Sequence, residues 1–155
     1  MVFFITLTTL VHALLFYFDE YILNKRRGLA QLEVNSALID GVLYLTLVAM
    51  TIFSPFNEVT KIIYVTLSFI SCLSIIKNEW LYPDLERVER VVHAGLYILH
   101  PLILYAFYLS WERDFFNNEM NYWMIQLCYL ILGFKAIAYH VIYWNYIYER
   151  KTIKR

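Results

Sequence analysis

Apolar residues in this chain fall into five long runs separated by short charged stretches, and that alternation predicts five helices. The runs cover residues 2–18, 37–53, 59–76, 91–110 and 122–144. At 1.5 Å per residue each is about long enough to cross a hydrocarbon layer of roughly 30 Å, the first three with help from their flanks. Lipid offers backbone polar groups no partner, so spans of this kind are helices. The stretches between them are short. Pro55 and Pro83 punctuate turns, and Gly28 is placed to cap a short extension of the first helix. The expected fold is all-α: one integral membrane bundle of five transmembrane helices, a single domain over residues 1–155 with no internal repeat.

Composition supports the same class. The chain is 61% hydrophobic and 19% aromatic, with a mean hydropathy of +0.52, well above the globular mix. The formal net charge is zero, which leaves no composition-level case for nucleic acid. Cys72 and Cys128 both lie inside apolar runs, where lone cysteines act as small hydrophobes, so no disulfide framework or CxxC site is expected. The first ten residues lack a basic region and a small-residue cleavage site, which favours a retained first span over a signal peptide.

Charge distribution orients the bundle. Lys25, Arg26 and Arg27 lie in the first connection, and Lys77, Arg87 and Arg90 in the third. Arg150, Lys151, Lys154 and Arg155 follow the last run. The opposite side holds only Lys61 and Arg113. The positive-inside rule places the N-terminus outside and the C-terminus in the cytoplasm.

With that topology the buried polar residues can be ranked by depth. On one helix Glu86, His93 and His100 fall in line, with Glu89 beside them, and Pro101 frees the carbonyl of Tyr97 next to His100. Counting along the other spans puts all four histidines in the cytoplasmic half. The carboxylates near or within spans join them, apart from Glu58 and those of residues 112–119. A deeper layer would hold His12, Asp40 and His100, with His140 as a weaker member. A shallower one would hold Asp19, Glu20, Glu33, Glu79, Glu89 and His93. Lys135 sits deep in the fifth run, where a buried charge must find a partner, and Asp40 is the obvious one.

These residues resemble a small family of uncharacterised bacterial multi-pass membrane proteins. The matching pieces are His12, Asp19-Glu20, Arg27-Gly28-Leu29, Glu33 and Asp40, then Glu79-Trp80, Glu89, His93, Leu99-His100-Pro101 and Tyr143-Trp144-Asn145. The chain departs from that pattern at Asn24, where a histidine is common, and at Ala37-Leu38, where His-Pro is common. It also departs at His140, where an amide often stands. The resemblance implies the bacterial cytoplasmic membrane and implies no reaction.

Ionisable groups inside a membrane are costly and mark function by default. Histidines and carboxylates converging from several helices suit iron, manganese or zinc better than calcium or magnesium. A metal site in the cytoplasmic half would draw on Glu20, Glu33, Glu79, Glu89 and His93. His12, Asp19, Asp40 and His100 would form a second shell or alternative ligands, with Tyr143 and Asn145 as hydrogen-bonding neighbours. The expected function is then a metal-dependent enzyme, of the di-iron oxidoreductase or hydrolase kind, acting on a lipid-like substrate. Two other readings stay open. One is a non-catalytic membrane subunit whose polar network packs helices or meets a partner protein. The other is a b-type haem protein ligated by His12 and His100. The acids near the interface also fit simple solvation or pairing with arginines. Trp80, Trp111, Trp123 and Trp144 read as an interfacial belt, and Ser68, Ser71 and Ser74 as packing or back-bonding residues. No nucleophile elbow, phosphate loop or nucleotide motif is present.

Overall fold

The computed structural model describes residues 2–79, 85–113 and 120–148, leaving aside the side chains of Val2, Asn78, Glu79 and residues 120–123. It is all-helical. The helices are α1 (Val2–Phe18), α2 (Gln31–Phe53), α3 (Glu58–Glu79), α4 (Arg87–Glu112) and α5 (Met120–Ile142). Among the described residues five helical spans are long and apolar enough to cross a membrane.

Several helices run beyond the apolar runs that announced them. α1 continues through a π-helical turn (Asp19–Leu23) and on through Asn24–Arg27, stopping where Gly28 takes φ +80° and donates its N–H to Asn24 O at 2.8 Å. Only a residue without Cβ adopts that backbone readily. α2 starts three residues later, with the Glu33 carboxylate accepting the Ala30 N–H. α4 starts in the same way, Glu89 accepting the Glu86 N–H at 2.8 Å. Both glutamates satisfy donors that a helix start otherwise leaves orphaned. A second π turn, Tyr143–Ile147, extends α5.

α1 packs along α4, and α2 packs along α5 and α3, while α2 and α4 meet in the centre. The apolar core, built on Leu47, Val48, Ile103 and Phe107, occupies the half of the bundle away from the basic end. Tyr64 closes it by donating to Leu104 O at 2.8 Å. Large apolar side chains such as Phe3, Leu14, Ile62 and Ile98 face outward. The buried set meanwhile includes histidines and carboxylates at the other end, an arrangement that suits lipid rather than water outside.

Three expectations need correction here. Lys135 is exposed, not buried. α5 turns Ala136 and His140 inward and sets Gly133 against Leu45 of α2, which places Lys135 on the other side of the helix. Trp144 is 1% exposed and belongs to the interior. Trp111 is also buried, donating to Ser54 O at 2.8 Å. Trp80 and the Trp123 side chain lie outside the described residues.

A histidine–carboxylate cavity at the basic end

The chain has four histidines, and all four line one cavity of about 160 Å³. His12 and the π turn bring in α1, Asp40 and Tyr44 bring in α2, and His93 and His100 bring in α4. His140 comes from α5, and Ile75 of α3 adds to the apolar wall. Asp19, Glu20 and Asn24 complete the polar lining. The stripe expected on α4 is present: Glu89, His93 and His100 are buried. Glu86 leaves it, exposed at the helix start beside Arg26 at 3.4 Å.

Two histidine–carboxylate pairs form the shallow part. His93 Nε2 lies 3.1 Å from Asp19 Oδ1. His140 Nδ1 lies 2.8 Å from Glu20 Oε1. Asn24 bridges the pairs, its amide donating to Asp19 at 3.1 Å and to Glu20 at 3.3 Å. Trp144 Nε1 adds a third donor to Glu20 at 3.0 Å. His140 Nε2 meets Val34 O at 3.0 Å; a carbonyl only accepts, so that nitrogen carries a hydrogen. Nδ1 and Glu20 Oε1 then share one proton across their contact, while Oε1 also accepts from Trp144 and Oε2 from Asn24. The π turn matters here. Its wider winding brings Asp19 and Glu20, adjacent in sequence, both into the interior.

The deeper part is held by hydroxyls. Tyr129 OH meets His12 Nδ1 at 2.9 Å and Tyr44 OH at 2.7 Å. His100 Nε2 meets Ser71 OH at 2.8 Å. Ser74 donates to Asp40. The Tyr44 ring packs against both imidazoles, its centroid 5.6 Å from His12 and 4.6 Å from His100. The expected deep layer of His12, Asp40 and His100 thus assembles, while His140 joins the shallow one through Glu20.

The expected metal set is dispersed. Arg27 stands between Glu33 and Glu89, at 3.0 and 3.5 Å, and these two acids do not line the cavity. The Glu79 side chain lies outside the described residues. Among the described residues no three His, Cys, Asp or Glu side chains converge on a point a metal could occupy. Nor does the cavity suit haem. Its volume of about 160 Å³ leaves room for a small group and not for a macrocycle. Tyr44 also fills space beside both candidate axial imidazoles.

Tyr143 and Asn145 stand away from the cavity. Tyr143 stacks on Tyr139, with centroids 5.1 Å apart, and carries Lys25 over its ring at 5.1 Å. Asn145 is exposed and back-bonds to Val141 O at 2.9 Å. Sequence reasoning passed over Asn24, Tyr44 and Tyr129 as parts of the site. Of the two roles expected for Ser71 and Ser74, packing or back-bonding, it is the first that the structure shows, since both hydroxyls cross to another helix. The signal for the serines was their spacing: 71 and 74 share a face that carries hydroxyls.

No family model, curated protein or solved structure matches the chain.

Proposed function

We propose that this protein is a membrane-embedded enzyme that binds the polar end of a lipid-like substrate in the histidine-lined cavity and acts on it by acid–base chemistry. The observation that carries the reading is the gathering of every histidine in the chain, with Asp19, Glu20 and Asp40, on one cavity. The excess of Lys and Arg at that end supports an N-terminus outside, a C-terminus in the cytoplasm and a cavity in the cytoplasmic half.

A cavity of about 160 Å³, partly open to its surroundings, supports a bound ligand over packing alone. Its polar groups, set in a largely apolar wall, hold a few waters that a small polar group can displace. Within the wall, Asp19 orients the His93 ring as a carboxylate orients a general base. His140 is engaged at both nitrogens and holds Glu20 in place. Both π turns, at Asp19–Leu23 and Tyr143–Ile147, border this end, and such turns recur at functional sites.

Native mass spectrometry of protein released gently from membranes tests the reading. The expected result is a co-released amphiphile at near-equal stoichiometry, lost in His93→Ala and Asp19→Asn. Near-stoichiometric iron, manganese or zinc in protein never exposed to chelator would overturn the metal-free reading. An unliganded protein whose four imidazoles exclude water would favour the packing network.

A further inference from the structure

Lys135 stands on the outer face of α5, away from the cavity. The helix turns Gln126, Leu130, Ala136 and His140 inward. Its opposite stripe, Cys128, Ile131, Lys135, Ala138 and Ile142, is exposed. The steps of three and four residues keep that stripe on one side of the helix. α5 packs chiefly on α2, which leaves the stripe to lipid in a bundle that crosses a bilayer. Lys135 lies at the centre of the apolar span Met124–Ile147. At 1.5 Å per residue the ends of that span are roughly 17 Å away on either side, while a lysine stem reaches only about 6 Å. The ammonium group thus falls well short of water. A charge at that depth facing lipid is costly unless something pairs with it. Among the described residues nothing does, for Lys135 has neither an ion pair nor a hydrogen bond.

A second copy of this chain is a poor source of the missing carboxylate. Among the described residues the exposed acids are Glu58, Glu86 and Glu112, and each stands at the start or end of a helix. Asp40, the acid nearest mid-span, is buried. Two copies meeting through α5 would set Lys135 against Lys135, and like charges in lipid repel strongly.

We propose that the outer face of α5 docks a transmembrane helix of another protein, one that carries a carboxylate at mid-span and pairs it with Lys135. Ala138, one turn along the same stripe, is small enough to let the two backbones approach. Low dielectric makes such a pair strong and makes a wrong partner costly, so the charge selects the helix. The face lies across α5 from the cavity and does not depend on what the cavity binds.

The test is a series of model helices. Full-length protein carrying a donor dye is reconstituted in liposomes with polyleucine helices of about 20 residues. Each helix bears an acceptor dye and one central Asp, Leu or Lys. By energy transfer the Asp helix is expected to associate at least tenfold more tightly than the Leu helix, and the Lys helix no better than the Leu helix. Lys135→Leu should remove the preference, and Lys135→Glu should pass it to the Lys helix. Both changes fall on an exposed face, so circular dichroism should match the parent protein. An Asp helix that binds no better than the Leu helix overturns the proposal, as does a preference that survives Lys135→Leu. Energy transfer between two copies of the chain that is lost in Lys135→Leu also overturns it, by making a second copy the occupant.

Discussion

His140 Nδ1 sits 2.8 Å from Glu20 Oε1, joining the last helix to the first across 120 positions of sequence, with both side chains buried. Removing one partner leaves the other buried and unpaired, which costs about 3–5 kcal/mol. Glu20→Ala is expected to lower stability by that order, and Glu20→Met with His140→Phe to recover most of it. Arg26→Gln, at a surface pair with both side chains more than half exposed, should cost no more than about 1 kcal/mol. Unfolding in mixed detergent measures all of these on one scale. Equal losses at the two pairs would contradict the buried assignment.

Arg27 holds the starts of α2 and α4 together through Glu33 at 3.0 Å and Glu89 at 3.5 Å. A lysine carries the same charge but not the fork that reaches two carboxylates. Arg27→Lys should therefore lose nearly as much stability as Arg27→Ala. The expected loss is about 2 kcal/mol, set below the fully buried range because the side chain is 23% exposed. Full rescue by lysine would show that charge alone matters.

Gly28→Ala is expected to be more damaging than its size suggests. At φ +80° and ψ 143° an alanine is strained by about 1–3 kcal/mol. Its Cβ would also collide with the Tyr148 hydroxyl. Tyr148 packs on Trp144 with centroids 4.8 Å apart, so near-ultraviolet circular dichroism should change along with stability. Gly41→Ala is the control, since its Cβ meets Ile137 at an ordinary 3.4 Å.

Tyr129→Phe removes a hydroxyl that serves both His12, at 2.9 Å, and Tyr44, at 2.7 Å. Leaving buried polar partners unmet costs about 1–3 kcal/mol. The histidine 15N spectrum should move at His12 and stay put at His93, which belongs to the Asp19 pair. A shift at His93 of equal size would show the two parts of the cavity to be coupled.

Hydropathy made the five spans legible because lipid admits only long apolar helices. It could not give their ends. The turns at Asn24–Arg27 and before Asp40 are polar, and they stay helical through Gly28, Glu33 and their caps. Counting along the spans put His12, Asp40 and His100 in one group, and all three line the cavity. The direction each residue faces depends on packing between helices, and there the reading failed. Lys135 has the right depth and the wrong side. Ser71 and Ser74 carry hydroxyls that fit back-bonding or a neighbouring helix equally well until α3 is set against α2 and α4. Glu33 and Glu89 looked like ligands until Arg27, 6 residues from the first, was seen to take both.

The central claim is that the histidines surround a hydrated cavity and not a sealed packing network. Water-edited solid-state NMR on 15N-histidine protein in lipid bilayers measures this directly, through the transfer of water polarisation to each imidazole. The account predicts rapid transfer to the cavity imidazoles despite their burial. Transfer no faster than to the apolar core around Phe107 would contradict it.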